Sequence, residues 1–239
     1  MKKIIDNKER YVVIDKKKET SDVVTLSMVR EDGSVPSYIP GQFITVYFEE
    51  LGTPEGKSYS ISSPIGSPTM TITVKSIGEF SKKLSALVPE DKLIASAPYG
   101  FFFSENTESN MVIIAAGIGI APFKSMINES FKINPKRNIY LFYTNKNKSG
   151  IIWRNDLREI AYNFPNLKIY HFITRDTEVH SDMIRGRIEN KYIVKNVPNF
   201  SNTEFFICGS ISFVRDMWKN LKELNIEEEN IYTEAFFSH

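Results

Sequence analysis

Two different rhythms of apolar and polar residues divide this chain. Through the first hundred residues, short β-branched and aromatic runs alternate with turns such as Glu31-Asp32-Gly33 and Pro40-Gly41, which is typical of antiparallel β-structure. Leu84, Leu87 and Val88 recur at helical spacing and indicate a single helix within this region. The pattern predicts an antiparallel six-stranded β-barrel with strands at 11–14, 23–29, 43–48, 58–62, 69–74 and 93–97 and a helix at 81–88.

Beyond residue 110 a short apolar strand followed by an amphipathic helix becomes the repeating unit. Parallel strands need crossover connections, so this alternation predicts an α/β domain with a five-stranded parallel sheet and helices on both faces. We expect strands at 111–115, 139–143, 167–172, 204–208 and 231–233, and helices near 122–131, 154–163, 188–194 and 211–224. The sequence therefore predicts two domains, residues 1–105 and residues 106–239.

Composition narrows the possible partners. Among 239 residues, 30 Lys and Arg balance 29 Asp and Glu, so the basic surplus expected of a nucleic-acid or membrane-surface protein is absent and we expect neither partner. The single cysteine, Cys208, excludes an internal disulfide and a four-cysteine iron–sulfur cluster. The three histidines lack metal-ligand spacing, and His171 is expected to be packed or hydrogen-bonded on a strand. No segment resembles a signal peptide or a membrane span, so we expect a soluble cytoplasmic protein without a metal site.

A glycine turn follows the first parallel strand at residues 113–123. Gly117 and Gly119 let backbone N–H groups approach a ligand, and the helix that begins near Pro122 adds about half a positive charge directed at a pyrophosphate. Pro122 suits the first helical position. Dinucleotide binding is one interpretation; an ordinary tight strand-to-helix turn is the other, because the third glycine of the Rossmann fingerprint is absent.

A second group of candidate binding residues lies in the barrel region. Tyr59 can stack on a planar ring, Ser60 can hydrogen-bond it, and Lys57 can face a phosphate; a half-exposed barrel strand is the alternative interpretation. Twenty residues on, Gly78 precedes a helix for which Ser81 is a candidate cap, giving a second anion-binding helix start. Two such helix starts in two domains indicate two phosphorylated cofactors.

Taken in order, these motifs resemble those of the ferredoxin-NADP reductase superfamily over nearly the whole chain. Residues 57–60 are similar to the family's Arg-x-Tyr-Ser/Thr flavin motif, and residues 78–84 to its Gly-x-x-Ser-x-x-Leu helix. Residues 117–122 are similar to its Gly-x-Gly-Ile-Ala-Pro turn, and residues 206–210 with 231–236 to its Cys-Gly-Pro motif and terminal Glu-x-Phe. The resemblance implies a flavin-binding barrel followed by a five-stranded NAD(P)-binding sheet.

On the flavin side, the resemblance implies roles for four residues. Tyr59 is expected to pack on the isoalloxazine, Ser60 to lie near flavin N5, and Ser81, with backbone N–H groups, to hold the flavin phosphate. Phe236 or Phe237 is expected to cover the other face of the ring. Lys57 departs from the family's arginine; it keeps the charge but lacks the bidentate fork, which favours looser flavin binding.

On the nicotinamide side, the resemblance places Cys208, with Gly209, where the nicotinamide meets the flavin, and makes Glu234 a group that orients the nicotinamide or relays a proton. With Ser60, Cys208 and Glu234 are the candidate catalytic residues; a buried small residue and a solvated terminal one are the respective alternatives. Thr174 and Arg175 follow the third parallel strand, where the family contacts the adenosine ribose. An arginine here favours NADPH, whereas the neighbouring Asp176 would suit the ribose of NADH.

The activity implied by the resemblance is hydride transfer from NADPH or NADH to N5 of FAD, or alternatively FMN, followed by electron transfer to a separate acceptor. Ferredoxin, flavodoxin or a small molecule would fill that role. Three other interpretations remain: a reductase of free flavin, which Lys57 favours; an electron-delivering subunit like that of dihydroorotate dehydrogenase, whose C-terminal cysteine cluster is missing here; and a non-catalytic nucleotide-binding regulator. Ser210 also replaces the proline of the Cys-Gly-Pro motif, which would loosen the turn facing the nicotinamide.

Overall fold

The computed structural model describes residues 8–236, and the first part of these forms one antiparallel sheet. Its six strands, in the order β4-β3-β6-β1-β2-β5, match the predicted number. A helix, α1, covers Glu79–Ala86. The strands are β1 Lys8–Lys18, β2 Val23–Arg30, β3 Phe43–Tyr47, β4 Lys57–Ser60, β5 Met70–Lys75 and β6 Lys92–Ser96.

The two outer strands of this sheet, β4 and β5, meet just beyond the end of β4. Ile61 forms an antiparallel bridge with Ile72. The Ser62 N–H donates to the Thr71 carbonyl oxygen at 2.9 Å, and the two side-chain hydroxyls lie 2.8 Å apart. Because these contacts join the sheet's free edges, the sheet closes into the predicted barrel.

The barrel's interior is filled by alternate residues of its strands, as the period of two requires. Helix α1 adds Phe80 and Leu84, which are buried among the same side chains. The Phe80 ring lies 5.0 Å from that of Phe48. The fully buried strand residues of this core include Tyr11, Val13, Leu26, Met28, Ile44, Val46, Ile72 and Val74.

The second sheet is parallel and has six strands, in the order β10-β9-β8-β7-β11-β12. The prediction of five strands was therefore one short. The additional strand, β10, covers only Met183–Arg185 and pairs with β9 through Met183 and His171. Three residues are too few to show a periodicity, which is why the pattern did not reveal it. The strands are β7 Asn110–Ala116, β8 Ile139–Asn145, β9 Leu167–Ile173, β10 Met183–Arg185, β11 Thr203–Ser210 and β12 Ile231–Phe236.

Four helices connect the parallel strands. In α5, Val214, Met217 and Leu221 lie on one face of an amphipathic helix and are buried with the sheet's core. None of the helices in the described part of the chain has the length and apolar composition needed to cross a bilayer. The helices are α2 Ala121–Ile133, α3 Arg154–Asn163, α4 Asn190–Asn196 and α5 Ile211–Glu223.

The chain forms two compact units, and it passes between them more than once along the sequence. The first unit contains the barrel through Phe103 and also Ala121–Glu129, most of α2. In this unit Phe123 of α2 is fully buried, with its ring 5.6 Å from that of Phe102. The second unit contains Ser104–Ile120 and the described chain from Ser130 onward. Division of the chain at residues 105 and 106 into a flavin domain and an NAD(P) domain remains a proposal.

A buried ion pair stabilises the second unit. Arg137 and Glu204 are 4% and 5% exposed, and the guanidinium Nη2 lies 3.1 Å from carboxylate Oε2. Arg137 Nε donates to the Ser109 carbonyl oxygen at 2.8 Å. Glu204 accepts hydrogen bonds from the hydroxyls of Ser104, Ser109 and Tyr232. These bonds offset the desolvation of both charges and fasten residues 104–109 to β11 and β12.

We expect Arg137→Met to lower the free energy of unfolding by about 3 kcal/mol, because Glu204 would remain buried without its cation. Urea denaturation measures this loss. Arg158→Met is the control, because its guanidinium is 61% exposed and its ion pair with Asp182 is long at 3.5 Å; the expected loss is below about 0.5 kcal/mol. Equal losses for the two variants would contradict the assigned role of the buried pair.

Candidate functional site

The glycine turn lies between β7 and α2. Gly117–Ile120 forms a 3-10 turn, and α2 begins at Ala121, which places Pro122 in the first helical turn, one position later than predicted. Gly117 has a φ of +52°, a left-handed conformation that glycine adopts without a Cβ penalty. A Cβ at Gly117 would meet no atom within 4 Å, so its backbone faces open space. This geometry leaves room for a ligand beside Gly117.

Gly119 is a glycine for a different reason. A Cβ there would overlap the carbonyl oxygen of Cys208 and lie 2.8 Å from the Gly209 nitrogen. The turn therefore rests directly on the backbone at the end of β11, and packing alone accounts for this glycine. The sequence left two interpretations of these glycines, a tight strand-to-helix turn and dinucleotide binding. The tight turn explains Gly119, whereas the backbone of Gly117 faces open space and leaves room for a ligand.

Two of the predicted catalytic residues are neighbours in the parallel sheet. Cys208 on β11 is in register with Glu234 on β12 and with Ala115 on β7. Residues in register on adjacent strands point to the same face, so the register extends into one row across the sheet. We call this the transverse row; it consists of Met183, His171, Tyr143, Ala115, Cys208 and Glu234.

Burial sets the protonation of the two neighbours. Cys208 is fully buried, and burial, with the adjacent Glu234 charge, raises the pKa of its thiol well above the usual value. Burial also raises the pKa of Glu234 to about 7. Glu234 Oε2 is buried without a hydrogen-bond partner anywhere in the described residues. Cys208 is therefore a neutral thiol, and Glu234 is a carboxyl group that exchanges its proton near neutral pH.

The raised pKa of Glu234 makes the protein's stability depend on pH. The folded state binds this proton more tightly than the unfolded state, so unfolding free energy falls as pH rises from about 4.5 to about 7. Glu234→Gln should remove that part of the fall. Urea midpoints of both proteins across this range measure it, and a difference between them that stays constant with pH would contradict the assignment.

On the barrel, β4 carries the proposed flavin motif. Tyr59 is half-buried against the barrel core, and burial raises the pKa of its hydroxyl. Ser60 is 3% exposed, yet its hydroxyl has no hydrogen-bond partner within residues 8–236. Lys57 is half-buried, and no carboxylate of the described chain pairs with it. A buried hydroxyl without a partner costs free energy unless a ligand or water bonds it, so this strand fits a polar planar ligand.

Ser81 does not cap α1 in the predicted way. Gly78 is the N-cap, and Ser81 is the third residue of the helix. Its hydroxyl accepts hydrogen bonds from the Gly78 and Ile77 N–H groups at 3.1 and 2.9 Å. This is the return half of a capping box, which uses the third helical residue because only that position reaches back to the entering chain. An anion at this helix would meet the first-turn N–H groups beside Ser81.

The segment after β9 carries the proposed ribose contacts. Thr174 and Arg175 are exposed, and their N–H groups donate to the carbonyl oxygens of the last residue of β8 and of the residue after it. Arg175 forms no ion pair with the residues that the structure describes. The carboxylate of Asp176 accepts hydrogen bonds from Asn147 Nδ2 at 2.8 Å and from the Lys148 N–H at 2.7 Å. The arginine is therefore available to a ligand, while the aspartate already holds the neighbouring loop.

The end of β11 explains the departure from the Cys-Gly-Pro motif. Ser210 is the N-cap of α5, and its hydroxyl accepts a hydrogen bond from the Phe213 N–H at 3.4 Å. The serine therefore gives α5 a side-chain cap that proline cannot provide. Gly209 lies beneath the Phe213 ring, where a Cβ would come within 2.7 Å. Phe236, half-exposed, pairs with Ser210; Phe237 lies outside the described residues.

Two further members of the transverse row, His171 and Tyr143, are buried side chains with polar groups. His171 is buried, as expected for a packed strand residue, and burial lowers its pKa to about 4. The Tyr143 hydroxyl donates to the Gly117 carbonyl oxygen at 3.0 Å, a contact the sequence analysis missed. The available signal was a tyrosine within a mostly buried strand, where the hydroxyl needs a partner.

Comparison with known proteins bears on both units. Residues 113–219 match the family model of the oxidoreductase NAD-binding domain. A flavohemoprotein of Bacillus cereus is 29% identical over 244 residues, which cover 95% of this chain and 60% of that protein. The flavohem-like FAD/NAD binding domain of nitric oxide dioxygenase from Vibrio cholerae has a TM-score of 0.86 at 23% identity, covering 96% of this chain and 99% of the other. The family match identifies an oxidoreductase NAD-binding domain in residues 113–219, and the structural match shows the fold that the resemblance implied.

A ferredoxin-NADP+ reductase from Plasmodium falciparum supports the same fold. Its TM-score is 0.77 at 20% identity, and the alignment covers 97% of each chain. The predicted two-domain fold is thus confirmed, with six rather than five parallel strands. The NAD(P) part of the predicted cofactor pair agrees with the NAD-binding family model that residues 113–219 match. The chain spans about 60% of the length of the flavohemoprotein that it matches.

Proposed function

We propose that this protein is a flavin-dependent NAD(P)H oxidoreductase that passes electrons to a separate acceptor. The proposal depends most on one observation: at the C-terminal edge of the parallel sheet, the open Gly117 turn lies beside a neutral buried thiol and a carboxyl group with a pKa of about 7. When bound, the flavin would accept a hydride from NAD(P)H and pass its electrons on to the acceptor.

Five residues of the first unit are proposed to hold the flavin, which we take to be FAD. Tyr59 provides a flat face for the isoalloxazine, and the unpaired Ser60 hydroxyl hydrogen-bonds the ring near N5. Lys57 and the N-terminus of α1 at Gly78 and Ser81 supply positive potential for phosphate. The buried, unpartnered state of Ser60 is the strongest support for this assignment, because a bound ring would satisfy it.

The second unit is proposed to hold the nicotinamide dinucleotide. The Gly117 turn, which includes Gly119, and the first turn of α2 present backbone N–H groups to the pyrophosphate, while Pro122, which has no N–H, holds that helical turn in shape. Cys208 and Gly209 present a small, uncharged surface to the nicotinamide, while Glu234 orients it or carries a proton. Phe236 at the end of β12 is proposed to cover the flavin ring.

Nucleotide choice is proposed to favour NADPH. Arg175 is exposed and unpaired among the described residues, so it can meet a 2′-phosphate, with Thr174 beside it. Asp176 would favour the ribose diol of NADH, but its two oxygens already accept the hydrogen bonds of Asn147 and Lys148. This difference between the two neighbours carries the proposed preference.

Arg175→Ala should raise the KM for NADPH about tenfold and change that for NADH less than twofold, because only NADPH carries the phosphate that the guanidinium binds. Steady-state reduction of ferricyanide with each nucleotide measures both values. Lys168→Ala, which removes an exposed charge at the opposite end of β9, is the control and should alter neither KM. Equal changes with both nucleotides would remove Arg175 as the selector.

The acceptor is proposed to be another molecule, with ferredoxin, flavodoxin or a small molecule as candidates. The sole cysteine of the sequence is buried beside Glu234, so the chain has no thiolates for an iron–sulfur cluster of its own. The Plasmodium protein with the same fold is a ferredoxin-NADP+ reductase, which supports this class of partner.

An anaerobic absorption spectrum from about 300 to 600 nm tests the whole proposal. We expect the purified protein to show flavin bands that bleach on addition of NADPH, and more slowly with NADH. A protein that loses its colour on gel filtration but reduces added FAD or FMN would instead be a free-flavin reductase. Bound flavin that stays oxidised with both nucleotides would contradict the proposal and leave a nucleotide-binding regulator.

A further inference from the structure

The hydroxyl of Tyr143 connects two turns at the C-terminal edge of the parallel sheet. It donates to the Gly117 carbonyl oxygen at 3.0 Å and accepts a hydrogen bond from the Ile152 N–H at 3.3 Å. Gly117 opens the turn into α2, and Ile152 lies two residues before α3 begins. A single oxygen atom on β8 therefore bonds the backbone at the entrance to two helices.

Both turns contain a left-handed residue. Gly117 has a φ of +52°, and Trp153, the N-cap of α3, has a φ of +56°. A left-handed tryptophan is uncommon and persists only where surrounding contacts fix it. Trp153 is 3% exposed, and its predecessor Ile152 is held by Tyr143. The turn at Ile152 and Trp153 is thus a fixed point against which the Tyr143 hydroxyl is held.

Of its two backbone partners, the Tyr143 hydroxyl can donate a hydrogen bond only to the Gly117 carbonyl oxygen. Tyr143 is fully buried, and burial raises the pKa of the phenol, so it keeps its proton. The Ile152 N–H can only donate, so it occupies a lone pair of the oxygen. The phenol proton is therefore left for the Gly117 carbonyl oxygen, which can only accept.

Gly117 needs such a restraint because glycine has more accessible φ values than any other residue. A Cβ at this position would meet nothing within 4 Å, so no packing holds the turn from that side. Without the Tyr143 bond, the turn would populate other conformations, and a ligand would have to select the binding-competent fraction. Affinity falls in proportion to that fraction.

We propose that Tyr143 is a positioning residue for the dinucleotide: its buried hydroxyl fixes the Gly117 turn in the conformation that receives the pyrophosphate. This inference rests on the proposed function, because it assumes that NAD(P)H binds at this turn. Tyr143 touches neither cofactor in this scheme. Its effect is therefore on the binding of the nucleotide and not on the reaction that follows.

The test is Tyr143→Phe, which removes one oxygen and keeps the ring in the core. The Kd and KM for NADPH should rise about 5- to 10-fold. At saturating NADPH, kcat with ferricyanide should stay within twofold, and the flavin spectrum should not change. Tyr140→Phe is the matched control: it lies on the same strand, is 8% exposed, and its hydroxyl bonds no residue of the described chain. It should leave all these values unchanged.

The outcomes separate this inference from the proposed function. Wild-type protein that neither binds nor oxidises NADPH overturns both. Wild-type activity with equal Kd values for the Tyr143→Phe and Tyr140→Phe variants overturns only the role of Tyr143. A lowered kcat at unchanged Kd overturns it too, because that result would assign the hydroxyl to the reaction.

A second measurement on the wild-type protein applies if Tyr143→Phe does not fold. Nucleotide that fixes the Gly117 turn also fixes the hydroxyl, so adding it should slow hydrogen exchange of the Ile152 amide. The Phe164 amide, which bonds the Ile160 carbonyl oxygen at 2.8 Å in the same unit, corrects for general stabilisation. Slowing at Ile152 no greater than at Phe164 would overturn the inference.

Discussion

The C-terminal edge of the parallel sheet depends on a backbone contact that only glycine permits. Gly119 rests on the end of β11, where any Cβ would overlap the Cys208 carbonyl group. The turn cannot move away to make room, because β7, which leads into it, is hydrogen-bonded to β11 through Cys208 and Ala115. The contact therefore holds the Gly119 end of the turn against the end of β11, beside the buried Cys208.

Burial at this edge of the sheet also determines which side chain of the transverse row exchanges a proton near pH 7. Burial disfavours charge on every titratable member of the row: it raises the pKa values of Tyr143 and Cys208 and lowers that of His171 to about 4. These three groups are neutral at pH 7. Only Glu234, on the edge strand β12, has a pKa of about 7. The row thus contains one proton-exchanging group, and it lies beside the thiol.

The fold could be predicted where burial imposes a repeating pattern of apolar residues over a whole helix or strand. It could not be predicted where polar residues extend a strand beyond that pattern. Helix α3 occupies 154–163 as its apolar spacing predicted. Strand β1 runs to Lys18, well past the predicted end at Ile14, because Asp15 through Lys18 form a polar extension whose pairing with β2 leaves no trace in the hydrophobic pattern. The ion pair of Arg137 and Glu204 was not predicted for a related reason. The two residues are 67 positions apart in sequence, and only the fold brings them together.

For the candidate site, the sequence identified residue types but not whether their hydrogen-bonding capacity is already used. Ser81 and Asp176 bond their own neighbouring backbone, so each stabilises a local turn. Ser60 and Glu234, by contrast, each have a buried polar atom that no group of the described chain satisfies. Burying such an atom costs free energy, and a folded protein tolerates that cost chiefly where a ligand or water supplies the missing partner. Among the described residues, the unsatisfied atoms of Ser60 and Glu234 lie on β4 and β12, the strands that the motifs assign to flavin and nicotinamide, whereas others, such as Asn145 Nδ2 and His171 Nδ1, lie elsewhere. A missing hydrogen-bond partner therefore supports a ligand site only where, as at these two residues, a sequence motif indicates the same place.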